Sequence, residues 1–172
     1  SVNLAIVILN YNGRIHLENY IENIISHSKG YDLIIADNAS SDDTLIVAKV
    51  FQKQDHRIHI FRHEKNVGMA KNFYSASQQA NGKYITFLSS DDEFKQKNYI
   101  ETLVWHLEFH PSVGLCHSIN ILHDDSTNTS LLDHSFLRAK ALYSSVPING
   151  RKVFLLFALL NLASFGGTVF NT

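Results

Sequence analysis

The sequence predicts an α/β domain built on a mostly parallel sheet flanked by helices. Three observations carry that prediction. Short β-branched apolar runs alternate with longer segments of helical period, each run ends abruptly in polar residues, and no internal repeat or low-complexity tract interrupts the alternation.

The elements follow in order. Val2–Leu9 is an apolar strand that ends in the turn Asn10-Tyr11-Asn12-Gly13, and Ile15, Leu17, Tyr20, Ile21, Ile24 and Ile25 then recur at near-helical spacing. Asp32–Ala36 is a second buried strand, followed by Asp37-Asn38-Ala39-Ser40-Ser41-Asp42-Asp43-Thr44. There Ser41 is expected to cap a helix through Gln54, with carboxylates in its first turn. Arg57–Arg62 reads as a third strand, and Asn66-Val67-Gly68 leads into a helix ending near Ala80. Asn81-Gly82 punctuates before a fourth strand, Tyr84–Leu88. A helix from Lys95 to His110 is stopped by Pro111, and Val113–Leu122 forms another strand. From His123 to Asn149 the composition is polar and irregular, with Asp124–Thr129 as a loop tip. Arg151–Leu162 is expected to be helical and Ser164–Phe170 a last short strand. Alternating strands and crossover helices imply right-handed parallel connections.

Composition bounds what such a domain does. A chain of 172 residues, 45% hydrophobic and 18% charged, is one domain's worth of globular protein. Residues 1–172 are therefore read as a single unit, with 1–110 binding a ligand and 111–172 beginning an opposite side. The net charge of −1 creates no global field, so nucleic acid is not an expected partner. One cysteine, Cys116, excludes an internal disulfide and points to a reducing compartment. The longest apolar stretch, Val153–Ala163, is too short to span a bilayer. The chain opens at Ser1 without methionine, which reads as a processed start or a piece of a longer protein.

Ten histidines raise the question of zinc. His106 and His110 have the helical i, i+4 spacing of a chelating pair, but no third ligand motif is near them, and scattered surface histidine is the better reading.

The most informative stretch is Lys83–Glu93, a buried strand running into Ser89-Ser90 and three consecutive carboxylates. In open α/β sheets ligands gather at the carboxyl ends of strands. A carboxylate cluster there is costly unless a divalent cation carrying a phosphorylated ligand neutralises it. Three polar strand ends fall on that edge: Asn10-Tyr11-Asn12, Asp37-Asn38 and Ser89–Asp92. Together they offer an aromatic for stacking, a carboxylate for a base edge and an acidic cluster for a metal.

The blocks Ile6–Gly13, Leu33–Thr44, Asn66–Asn72 and Gly82–Asp92 resemble, in order and spacing, the nucleotide-binding half of a family 2 glycosyltransferase of GT-A fold. The likeness covers roughly the first hundred residues and is loose beyond them. It implies transfer of a sugar, with inversion, from a nucleoside-diphosphate sugar (UDP- or dTDP-sugar) to a glycan, lipid-linked or protein-linked acceptor. It implies Mn²⁺ or Mg²⁺ as cofactor, and a cytoplasmic setting that includes the inner face of a bacterial membrane. Tyr11 is similar to the family's base-stacking aromatic and Asp37 to its base-binding carboxylate. Asn10, Asn12 and Asn38 would shape that pocket. Asn66, Gly68 and Lys71 would serve the phosphates, and Ser89, Ser90 and Asp91 the ribose and metal. The resemblance implies Asp91 as the metal ligand; the family motif Asp-x-Asp here reads Ser89-Ser90-Asp91, one carboxylate short.

The catalytic base is unknown and expected beyond residue 172. Asp124, Asp125 and Asp133 sit in no matching motif and read as solvated loop residues. Two other functions compete. One is a noncatalytic nucleotide- or sugar-binding module. The other is a sugar nucleotidyltransferase, for which the first turn lacks a Gly-rich basic loop.

Overall fold

A computed structural model describes residues 4–27, 29–89, 92, 94–117, 121–124, 126–132 and 168–171. Strands β1 (Leu4–Asn10), β2 (Tyr31–Asp37), β3 (Ile58–Arg62) and β4 (Tyr84–Ser89) alternate with helices α1 (Arg14–His27), α2 (Thr44–Gln54) and α3 (Met69–Ser77). Helix α4 (Tyr99–Phe109) is followed by β5 (Leu115–His117), β6 (Ile121–Asp124), β7 (Thr129–Leu132) and β8 (Thr168–Asn171). The main sheet has six strands in the order β3-β2-β1-β4-β8-β5. The strands β1 to β4 are parallel, and β8 runs antiparallel to both β4 and β5. The expected α/β class and mostly parallel sheet are therefore present.

Near-continuous apolar sequence in β1, β2 and β4 follows from burial on both faces. Leu4, Ile6 and Ile8 pack with Leu33, Ile35, Leu17, Ile21, Ile24, Ile100 and Leu107 beneath α1, α2 and α4. The alternate residues Ala5, Val7, Ile34, Ala36 and Phe87 pack against α3 through Ala76 and Phe73. Each fully buried Ile or Leu contributes about 1.5–3 kcal/mol, and Phe73 stacks on Phe87 with ring centroids 4.1 Å apart. Ile15, counted in the apolar stripe of the first helix, is instead 80% exposed.

Several boundaries differ from the sequence expectation. Ser41 does not cap α2; the helix starts at Thr44 with Asp43 at the cap position, no side-chain cap bond and no acidic residue in its first turn. Asp42 Oδ1 accepts the Thr44 N–H at 3.1 Å, while the Ser41 N–H and hydroxyl are drawn across to the neighbouring loop, both donating to Asn12 Oδ1, at 2.9 and 3.3 Å. Helix α4 begins after Asn98, whose left-handed φ of 58° prevents it from continuing back to Lys95. The single strand expected over Val113–Leu122 is split between β5 and β6, which belong to different sheets. The polar stretch expected to be irregular contains the antiparallel β6–β7 hairpin. Asp124 starts its turn by accepting the Ser126 N–H and hydroxyl at 2.9 and 2.6 Å, and Asn128 closes it at φ 52°. The expected helix at Arg151–Leu162 lies outside the described residues. Cys116 is half-buried against the core.

The α2–β3 connection holds an ion pair with a pH consequence. Arg57 lies over the Tyr31 ring, 4.8 Å from its centroid, and its guanidinium donates to Asp55 at 2.5–3.1 Å. Hydrogen bonds from Arg57 hold the Asp55 carboxyl down at about 2, against the upward push of burial. A carboxyl lowered on folding adds stability above its unfolded value near pH 4, and that stability is lost as pH falls through the folded value. Asp55→Asn is therefore expected to cost about 1 kcal/mol at neutral pH, the pair being partly solvated. It should also flatten the loss of stability between pH 4 and pH 2, roughly the window set by the two values. Urea midpoints at neutral pH and near pH 3 check this; a wild-type slope in the variant would refute it.

Candidate functional site

The parallel register aligns the carboxyl ends of the strands. Asn10 sits opposite Asp37, Asp37 opposite Arg62, and Leu9 opposite Ser89. The loops that follow β1, β2, β3 and β4 therefore meet along one edge.

The β1–α1 and β2–α2 loops are tied together there. Asp37 is 1% exposed. Its carboxylate accepts the Ser40 hydroxyl, the Ser40 N–H at 3.2 and 3.3 Å, and Asn10 Nδ2 at 3.4 Å. Arg62 Nε stands 3.4 Å from Asp37 Oδ2, and Arg62 Nη2 donates to the Ser40 carbonyl at 3.0 Å. The buried Asn10 donates to Ser40 Oγ at 3.2 Å, while its own Oδ1 is buried without a partner among the described residues. The N–H of Asn12 donates to Ser40 Oγ at 2.9 Å. Asn12 is left-handed, with φ 52°, a conformation its short polar side chain tolerates. Tyr11, between these anchored asparagines, is 52% exposed.

Asp42 joins the starts of two helices, accepting the Arg14 N–H at 3.1 Å and the Thr44 N–H at 3.1 Å. Burial pushes its carboxyl up, but hydrogen bonds from Thr44 and Arg14 outweigh this and leave it below the usual carboxylate range.

The β3–α3 loop docks on the same edge through Asn38. That buried side chain donates to Asn66 Oδ1 at 3.0 Å and accepts the Val67 N–H at 2.9 Å; Asn66 Oδ1 also takes the Gly68 N–H at 2.9 Å. Gly68, at φ 82° and ψ 161°, occupies a region open only to glycine and precedes the first residue of α3. Lys71 is exposed on the first turn of α3. The next residue, Asn72, is buried and donates to the Ala36 carbonyl at 3.1 Å, fastening α3 to β2.

At the end of β4 Ser89 is exposed, and its N–H donates to Asp92 Oδ2 at 2.8 Å. Ser90 and Asp91 lie outside the described residues. Two bonds between Asn23 and the backbone of Phe94, 2.9 and 3.1 Å, pin the chain after this turn to α1. Among the described residues no group of three or more His, Cys, Asp or Glu could hold a metal. Among them, too, no helix is long and apolar enough to cross a membrane.

The structure thus brings Asn10, Tyr11, Asn12, Asp37, Asn38, Asn66, Gly68 and Ser89 to one edge. It adds Arg62, Ser40, Asp42 and Asn72, which sequence reasoning did not select. Arg62 had a signal, since it and Asp37 each end a strand and neighbouring parallel strands place such ends side by side. Ser40 and Asp42 act by pairing across loops and Asn72 by tying a helix to a strand, which no local pattern reveals.

A mostly parallel sheet that takes one antiparallel strand beyond β4 and gathers polar loops at its carboxyl edge has the GT-A architecture. The family model described as Glycosyl transferase family 2 matches residues 5–169, and the chain belongs to that family. The chain is 30% identical over 106 residues to the putative teichuronic acid biosynthesis glycosyltransferase TuaG of Bacillus subtilis, covering 61% of this chain and 42% of that protein. It is 35% identical over 92 residues to the GalNAc(5)-diNAcBac-PP-undecaprenol beta-1,3-glucosyltransferase of Campylobacter jejuni, covering 52% of this chain and 30% of that one. The chain thus spans well under half of these relatives. Among solved structures, the mannosyltransferase PcManGT of Pyrobaculum calidifontis, in complex with GDP-Man and Mn²⁺, superposes with a TM-score of 0.61 at 18% identity over 66% of this chain and 34% of that one. S. aureus TarS 1-349 in complex with UDP-GlcNAc gives 0.58 at 18% identity over 70% of this chain and 33% of that one. At such identities the likeness is one of fold.

Proposed function

We propose that this chain forms the donor-binding part of an inverting glycosyltransferase that uses a UDP- or dTDP-sugar. The observation that carries the reading is the alignment of three strand ends. An exposed Tyr11, a buried Asp37 and the Ser89 turn follow adjacent strands, about 10 Å from first to last, a span a nucleoside diphosphate bridges.

Each residue then has a task. Tyr11 stacks on the base, a contact contributing about 1–3 kcal/mol. Asp37 meets the base edge through Oδ2, which carries the Ser40 N–H and the loose 3.4 Å contact to Arg62. A ring N–H of uracil or thymine donates to that oxygen as the half-exposed Arg62 shifts aside. Asn10 and Asn12 shape the wall, and Asn38 holds the Asn66–Gly68 loop beside the phosphates, with Lys71 as a charge on the next turn. Ser89 hydrogen-bonds the ribose, and Ser90 is assigned with it from the family motif alone.

A carboxylate and serine hydroxyls are the oxygen donors that a hard cation takes, and Asp91 would be the residue that holds Mn²⁺ or Mg²⁺, with Ser89 beside it at the end of β4. Asp92 is not the first choice, because its carboxylate is already turned back on the Ser89 N–H. When bound, the cation would supply Lewis-acid stabilisation of the leaving nucleoside diphosphate. The acceptor hydroxyl attacks opposite the leaving group and needs a carboxylate base. Asp124 does not qualify, being engaged in its own hairpin turn. Names such as teichuronic acid and undecaprenol among the relatives suggest a polysaccharide or lipid-linked acceptor and a peripheral site on the cytoplasmic membrane face.

The test is calorimetric titration of UDP with Mn²⁺ and with EDTA, repeated for Asp91→Ala. Metal-dependent binding that falls at least about tenfold in the variant is expected. Silence towards UDP, dTDP and GDP from folded protein would sink the reading. Ser89, in place of a motif aspartate, favours one other reading, a binding module without turnover. It predicts UDP binding without transfer or donor hydrolysis.

A further inference from the structure

We infer that Ser40, which carries no assigned contact to donor, is the positioning residue that couples the base-stacking Tyr11 loop to Asp37 and so sets base discrimination. The inference rests on the donor-site reading above and deepens it. Ser40 is 4% exposed, and its single hydroxyl serves three groups at once: it donates to Asp37 and accepts from Asn10 Nδ2 at 3.2 Å and from the Asn12 N–H at 2.9 Å. Its N–H also binds both Asp37 oxygens, and its carbonyl receives Arg62.

A hydroxyl has one proton to give and two lone pairs to fill, so Ser40 is used to capacity. The direction of those bonds matters. By donating to Asp37 Oδ1, the hydroxyl occupies the inward oxygen and leaves Oδ2 as the one met by Arg62. By accepting from Asn12, it fixes the backbone immediately after Tyr11. The separation between the stacking ring and the carboxylate is therefore carried by one side chain. Ala39, held at φ 62°, delivers Ser40 into this position. Without the hydroxyl, both loops keep their strands and helices but lose their common reference point. The base edge is then read less well, while the phosphate side, built from the Asn66–Gly68 loop and the turn after β4, is untouched.

The experiment measures UDP, GDP and pyrophosphate binding, each with Mn²⁺, for the full chain and for Ser40→Ala and Ser40→Cys, with thermal midpoints recorded alongside. The cysteine variant, nearly isosteric and a weaker hydrogen bonder, guards against a variant that fails to fold. The expected result is UDP affinity about tenfold lower in the alanine variant, as one lost positioning bond implies, and less so in the cysteine variant. The preference for UDP over GDP should contract in step, with pyrophosphate binding unchanged. A parallel fall for UDP and pyrophosphate would mark a general structural role and overturn the inference, as would an unchanged preference in a folded variant. If the wild-type chain bound none of the three, the donor-site reading itself would fall, and the inference with it.

Discussion

Asp37→Ala should abolish measurable UDP binding and lower the thermal midpoint by about 5–15 °C, from a loss of about 2–4 kcal/mol at the sensitivity of a domain this size. The substitution strands the Ser40 hydroxyl and N–H in a place that solvent barely reaches, since Asn10, Asp37 and Ser40 are all buried, and it leaves Asn10 Nδ2 with Ser40 Oγ alone. A buried donor without an acceptor costs its full desolvation, and the two Ser40 donors lose theirs together. Arg62 loses its carboxylate partner but keeps the Ser40 carbonyl, and being half-exposed it turns to water at less expense. The domain should remain folded, because typical domains hold about 5–15 kcal/mol. Differential scanning calorimetry and UDP titration on one preparation separate the two effects. A midpoint within a degree or two of wild type would show that the network carries little of the stability.

The second large effect falls far from the site. A methyl group at Gly82 would meet the backbone N of Ala5 at 2.9 Å, the backbone C of Leu4 at 3.0 Å and the Tyr84 carbonyl at 2.9 Å. None of these is a side-chain tip that can swing away; all belong to the backbone where β1 and β4 lie side by side. Gly82→Ala must push the two central strands apart at their entry, at a cost of about 1–3 kcal/mol or more. Chemical denaturation should show a lower midpoint with an unchanged slope, and UDP affinity should be retained wherever the protein is folded. A neutral outcome would mean that the turn before β4 can swing out without disturbing the pairing from Leu4 onward.

The first half of the fold could be read from sequence because each of its elements is locally over-determined. β1, β2 and β4 are apolar on both faces, and the turns at Asn10–Gly13 and Asn81–Gly82 are strong punctuation. Asp37 and Asn10 could be picked out as candidates for the sheet's polar edge because packing gives a buried parallel strand no reason to end in a polar side chain. The failures share a physical cause, which is competition from distant partners. Ser41 looks like a cap until Asn12, brought across from the neighbouring loop, draws its hydroxyl away and Asp42 accepts the Thr44 N–H instead. The β6–β7 hairpin hides in a Ser/Thr/Asn-rich stretch whose strands carry no apolar alternation strong enough to announce them. Ile15 is apolar but lies on the outer side of α1, since a residue two positions before Leu17 is turned to the opposite face of the helix from the buried Leu17, Tyr20, Ile21 and Ile24. Arg62 required knowing that β2 and β3 are neighbours. Ser40 required knowing that two loops touch.

The position of β8 has a consequence for how the chain must be made. Thr168–Asn171 pairs with Tyr84–Thr86 on one side and Leu115–His117 on the other, so a strand synthesised after both its neighbours occupies the interior of the sheet. On the ribosome, β1 to β4 can assemble as their crossover helices emerge, but the flank of β4 then waits, with unpaired amide and carbonyl groups, until residue 168 clears the exit tunnel. An open flank of this kind is a template for another copy's strand. Translational arrest or proteolytic nicking between His117 and Thr168 should therefore release chains that stick to one another rather than a smaller soluble domain. Cellular yield would depend on how quickly that stretch is translated, or on a chaperone that covers the gap meanwhile.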